Sequence, residues 1–207
     1  MSPSEFIFGR GRWIQTSTAR RYYPVHPRPS EVCIEDIGHH LSMLVRYTGA
    51  VSQFYSVAEH SWHVSYLVPS HMALKGLLHD SPESYINDLS RPLKHHWLLR
   101  GYRRIEQRNW LAIALHFGLT PDMPPEIHAA DNQMLTVERA ALLPPMPWST
   151  KYPGPPRRVT IECWTPPVAE AMFLKRFHEL TTMRPQHRAH IGERSARGVD
   201  YSTVGFA

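Results

Sequence analysis

Met72-Ala73-Leu74-Lys75-Gly76-Leu77-Leu78-His79-Asp80 is an apolar helical run that ends on an imidazole and a carboxylate. Neither group has a reason to close a buried stretch unless something there binds it. A second histidine, His60, stands one helix upstream in Ser56-Val57-Ala58-Glu59-His60-Ser61. Asp131 follows far downstream in Ala129-Ala130-Asp131-Asn132. Two imidazoles and two carboxylates form a sensible ligand set for a divalent cation, and such a cation can make a hydrolytic nucleophile from water.

The neighbouring sequence reads as helices joined by proline breaks. Ile37, Leu41, Leu44 and Val45 fall on one face and predict a first helix over Asp36 to Tyr47. Ser56 is a good N-cap, and Glu59 three residues later completes a capping box for a second helix that Pro69 stops after Val68. A third helix begins at Ser70 and ends near His79-Asp80, and Pro82 suits the first turn of a short restart. Arg91-Pro92 is a further interruption. Gly101 to Phe117 is amphipathic through Ile105, Trp110, Leu111, Ile113, Ala114 and Leu115, with Gly118 placed as its C-cap. Pro124-Pro125-Glu126 opens a helix to Leu143, prolines from Pro144 to Pro156 mark a rigid loop, and Pro166 opens a last helix through Leu180. The pattern predicts an all-α bundle with a central metal site built from facing helices.

The ends differ from this body. Residues 1 to 30 alternate aromatic, glycine and basic residues and read as an extended arm, with a hairpin at Phe6 to Trp13. Residues 184 to 207 are rich in Arg, Gly, Ser and His without period, which predicts a mobile basic tail.

Residues adjacent on a helix point about 100° apart, so His79 and Asp80 can reach one ion only at a helix end. The Ser81-Pro82 break supplies one. Two nitrogens and two oxygens without a thiolate suit Mn, Fe, Co or Zn, with Mg also admissible. Glu83, one turn on, is placed to orient or deprotonate a water or to protonate a leaving oxygen, and Asp88 is a second acidic candidate. Arg46, Arg91 and Lys94 are candidates for holding phosphate oxygens. The remaining helical histidines, among them His39, His40, His63 and His116, read as hydrogen-bonded core or surface residues.

The totals set bounds on function. A chain of 207 residues makes one domain with a real core. No apolar run reaches the roughly 18–20 residues that span a bilayer, and the start lacks the layout of a signal peptide. Cys33 and Cys163 read as free thiols of a reducing cytosol, so a cytoplasmic protein without a membrane partner is expected. The net charge of +5 favours phosphate-bearing partners. The basic residues lack aromatic interleaving, which is weak evidence for nucleic-acid binding.

The order His60, His79-Asp80, Asp131 on successive helices resembles the HD-domain metal-dependent phosphohydrolases. The strings Tyr55-Ser56-Val57-Ala58-Glu59-His60-Ser61, Leu77-Leu78-His79-Asp80-Ser81-Pro82-Glu83-Ser84-Tyr85 and Asp88-Leu89-Ser90-Arg91-Pro92-Leu93-Lys94 are similar to the branch with bacterial 5′-deoxynucleotidases and phage dATP triphosphohydrolases. Glu35-Asp36-Ile37 and Trp164-Thr165-Pro166 add to the likeness, which runs from about residue 20 to 183. It implies an HD domain over residues 31 to 183, with His60, His79, Asp80 and Asp131 as metal ligands and Glu83 and Asp88 acting on the water and the leaving group. It further implies Arg46 at the phosphate nearest the sugar, Tyr47 beside the base or sugar, and Lys94 at distal phosphates. Relatives often carry a lysine where His128 stands, and some carry Trp where Tyr47 stands, so phosphate number and base stay open. A homo-oligomer, dimer or hexamer, is also implied.

The expected activity is hydrolysis of a phosphoester bond in a deoxynucleotide, releasing either phosphate or triphosphate and controlling a nucleotide pool, in a host cytoplasm if phage-encoded. The alternatives are hydrolysis of a guanosine alarmone and a non-enzymatic, metal-stabilised nucleic-acid-binding protein.

Overall fold

The computed structural model describes residues 10–148, 152–155 and 158–182. Its regular structure is almost all helical: α1 (Ile34–Met43), α2 (Val57–Leu67), α3 (Ala73–Leu78), α4 (Glu83–Ile86), α5 (Arg91–Lys94), α6 (Arg100–His116), α7 (Pro125–Leu142) and α8 (Pro166–Thr182). The strands β1 (Ile14–Gln15) and β2 (Arg21–Tyr22) form one antiparallel hairpin. Among the described residues no helix is long and apolar enough to cross a membrane.

The apolar run quoted above is the centre of the molecule. Every residue of α3 is buried, and Leu74, Leu77 and Leu78 are at most 1% exposed. Each such leucine contributes about 1.5–3 kcal/mol by leaving water. A helix buried all round must be covered by its neighbours, and α2 and α8 pack against it. Gly76 lets α2 come close, because a Cβ there would sit 2.9 Å from a methyl of Val68. Gly38 does the same for α1 against α8, with Leu174 2.9 Å from where its Cβ would be.

The predicted starts and stops mostly form. Ser56 caps α2, its hydroxyl accepting from the Glu59 amide at 3.1 Å. The second half of the capping box does not form, because the Glu59 carboxylate instead accepts from the amides of Glu162, Cys163 and Trp164. Gly118 takes φ +63 after α6. Its amide bonds the Leu115 carbonyl and that of Leu119 bonds Ala114, the paired bonds of a Schellman ending. On α6, Ala112 faces the core and Leu115 is 44% exposed, which corrects the apolar face read from the sequence. Cys33 and Cys163 are both free thiols.

Two elements differ from expectation. The first helix stops at Met43, four residues early. Past it, Leu44 and Val45 are extended and bond backward: Arg46 N–H to Tyr55 O at 2.9 Å, and Val57 N–H to Leu44 O at 3.0 Å. These bridges with the lead into α2 replace another helical turn, and β-branched Val45 accepts them readily. A hairpin forms at β1 and β2, just after the Phe6 to Trp13 stretch, of which residues 6–9 lie outside the described residues. Its turn is fixed from afar, since the Asp36 carboxylate accepts from Ser17 Oγ, Thr18 N and Thr18 Oγ1. That partner is invisible in the local sequence. Tyr22 then enters the core, stacked on Tyr85 and donating to Asn109 at 2.7 Å. The expected tail, residues 184–207, lies outside the described residues.

Candidate metal centre

α2 and α3 pack closely, and α7 lies across α2. That packing brings together side chains spread over more than seventy positions. His60 lies one turn into α2, His79 and Asp80 follow the end of α3, and Asp131 lies in α7. Ligating atoms of His60, His79 and Asp131 all lie within 4.8 Å of one another, a group able to hold a metal ion. Asp80 joins them: its Oδ2 is 3.1 Å from His79 Nε2 and 3.5 Å from His60 Nε2. Asp131 Oδ1 is 3.3 Å from His60 Nε2.

The tautomers follow from the outer partners. His79 Nδ1 is 2.8 Å from the Gly76 carbonyl, which can only accept, so Nδ1 carries the proton. His60 Nδ1 is 2.6 Å from the buried Glu138 carboxylate and donates to it. Both Nε2 atoms are therefore turned inward. Both are buried, and neither has a hydrogen-bond partner among the described residues. Two lone pairs facing two carboxylates repel one another unless a cation sits among them. The donor set thus fits a divalent metal.

The charges respond in the same sense. Burial and Arg46 oppose a proton on His60, but Glu138 and Asp131 outweigh them and raise its pKa to about 9. Burial disfavours the Asp80 anion, yet His79, His60 and Arg46 hold its carboxyl well below the usual range. Asp131 is likewise lowered, burial being outweighed by His60. The pocket demands positive charge, and in the metal-free chain a proton supplies part of it.

Glu83 lies beside the centre on α4, 4% exposed, with Oε2 buried and unpartnered among the described residues. Burial, together with Asp80 and Asp88, raises its pKa well above its ordinary value, against the opposing pull of Lys94 and Arg46. Asp88 is raised too, by burial first and then by Asp80, against the opposing pull of Arg46. Lys94 on α5 lies 3.4 Å from Glu83 and pairs with Glu106. Arg46 sits 3.7 Å from Asp80 and 3.1 Å from Glu138. Tyr47 donates to Glu138 at 2.7 Å. Arg91 reaches over Asp131 at 3.2 Å and also bonds Asn132 and Tyr152. His128 is exposed one turn before Asp131 on α7. His63, one turn past His60, instead stacks on Trp164.

Glu138 went unread in the sequence. Its signal was there, seven residues after Asp131, two turns on and so on the same face of α7.

No family model matches the chain. It is 34% identical over 175 residues to the uncharacterized protein YfdR of Escherichia coli K12, covering 83% of this chain and 97% of that protein. It is also 34% identical over 134 residues to an uncharacterized protein of Rhodobacter capsulatus, covering 60% of this chain and 68% of that one.

Proposed function

We infer that this chain, which belongs to the family of the Escherichia coli protein YfdR, is a metal-dependent phosphohydrolase of the HD-domain type that acts on deoxynucleotides. One observation carries the reading: two buried, unpartnered imidazole nitrogens face the carboxylates of Asp80 and Asp131, and the buried Glu83, one oxygen unpartnered among the described residues, stands beside them. A site that only braced the fold would need the ligands and not the extra acid.

His60, His79, Asp80 and Asp131 would hold the ion, with Mn, Fe, Co, Zn and Mg all compatible with two nitrogens and two oxygens. When bound, a divalent metal supplies an acidified water and draws charge from a phosphoryl oxygen. The raised Glu83 pKa suits it to deliver a proton to the leaving oxygen as the ester bond breaks. Asp88, also raised, is the second group able to move a proton there. Arg46 and Lys94 offset negative charge growing on the phosphate, Arg46 from beside Asp80 and Lys94 from beside Glu83. Tyr47 stands next to Arg46 and faces the sugar or base in this reading.

The test is the purified chain with Mn or Co against all deoxynucleoside mono- and triphosphates, with products separated by chromatography. Nucleoside plus phosphate marks a 5′-deoxynucleotidase, and nucleoside plus triphosphate marks a dNTP triphosphohydrolase. Glu83→Ala should lose turnover by about 10²–10⁴-fold, the share a positioned acid contributes, with bound metal unchanged. A wild-type chain that holds metal yet cleaves none of these nucleotides overturns the reading.

A further inference from the structure

We propose that Glu138 is a positioning residue that sets the metal ligand His60 with one oxygen and the phosphate-side pair Arg46 and Tyr47 with the other. The inference rests on the metal reading above. Glu138 is wholly buried on α7. Its Oε1 accepts from His60 Nδ1 at 2.6 Å and from the Tyr55 hydroxyl at 3.0 Å. Its Oε2 accepts from the Tyr47 hydroxyl at 2.7 Å and from Arg46 Nε at 3.2 Å, with Arg46 Nη2 at 3.1 Å. The two oxygens divide the centre into two arms.

On the metal arm, the carboxylate fixes the ring proton on Nδ1. The Nε2 lone pair then has to face His79 and Asp131, and the adjacent negative charge makes that nitrogen a stronger donor. On the other arm, Glu138 holds the guanidinium of Arg46 so that Nη1 points at Asp80, 3.7 Å away. It also accounts for a strained backbone. Tyr47 and Thr48 lie at φ +56 and +54, in the left-handed region that non-glycine residues avoid. The Tyr47 hydroxyl bond anchors that bend beside the centre. A carboxylate present only to neutralise Arg46 would need neither the His60 contact nor the Tyr47 one.

Co(II) titration of the full chain, followed by visible absorption, tests this. Glu138→Gln keeps size and an acceptor oxygen but loses the charge, and should bind Co(II) about 10–100-fold more weakly with an altered ligand-field spectrum. Tyr55→Phe removes a Glu138 donor without touching His60, and should keep wild-type Co(II) affinity and spectrum. Glu138→Gln with both wild-type affinity and spectrum, in a chain that does bind Co(II), overturns this inference and leaves the metal reading standing. A wild-type chain that takes up no Co(II) overturns both. Should Glu138→Gln fail to fold, nitrogen NMR of the wild-type chain with Zn(II) decides. A proton on His60 Nδ1 with Nε2 ligating supports the proposal, and the opposite tautomer refutes it.

Discussion

His60 and Lys94 stand on two sides of one acidic centre and are held in contrasting ways. The His60 side chain is 0% exposed, on an eleven-residue helix, with its outer nitrogen bound to a carboxylate that is itself fully buried. Lys94 is 23% exposed and sits on a four-residue helix followed by the exposed Trp97 and Leu98. The interior side is fixed by several helices at once, so the ligand geometry has no freedom to drift. The rim is built from single turns, so the groups that would meet a phosphate can change without disturbing the core. In the proposed function, the contrast separates the groups that would bind metal from those that would select substrate.

Three variants would break or sharpen that contrast. The largest effect on stability falls on the interior. His60→Ala removes a hydrogen bond to a buried anion and should cost about 1.5–3 kcal/mol in denaturant unfolding of the metal-free chain, besides abolishing stoichiometric metal. A His60→Ala chain as stable as wild type would show that the interior side is no tighter than the rim.

The hairpin gives an intermediate case, its turn held to the body by the Asp36 carboxylate. Burial raises the Asp36 pKa, but the donors Ser17, Thr18 and Thr16 outweigh it and hold the group below its ordinary value. The folded form thus prefers the anion. Its stabilisation is fully present above the ordinary carboxylate pKa of about 3.9 and is lost as pH falls through the lower folded-state value. Asp36→Asn should therefore be less stable at neutral pH, by about 1 kcal/mol or somewhat more. It should also lose less stability than wild type on acidification, as thermal melts from about pH 6 to pH 2 would show. Parallel pH curves would sink the assignment.

The smallest stability change belongs to the rim. Lys94→Ala should alter unfolding by no more than about 1 kcal/mol, as for partly exposed ion pairs. It should raise KM for a triphosphate by about tenfold, the equivalent of one charged hydrogen bond. A large loss of stability with unchanged KM would reverse the roles given to the two sides.

What the sequence could reveal followed from chemistry local to it. Ser56, Pro125, Pro166 and Gly118 declare helix ends because capping and proline geometry act within one turn. His79 and Asp80 were legible because polar groups ending an apolar run need a partner. Long-range pairings were not legible. The first helix ended early because Val45 pairs with Ser56, and the hairpin turn took its anchor from Asp36. Glu138 carried no local mark beyond its spacing from Asp131, since its four partners come from Arg46, Tyr47, Tyr55 and His60. Glu59 fitted a capping box on paper, yet three amides more than a hundred positions away claimed it.

That last contact has a consequence for biosynthesis. The amides that satisfy Glu59 are 103 to 105 residues further along the chain. At translation rates of about 5–20 residues per second, they emerge roughly 5–20 s after the helix they clamp. Until then the Glu59 carboxyl lacks those three donors, and the nascent segment must keep it in water. The histidines leave the ribosome early, but the finished pocket has to wait for the lead into α8.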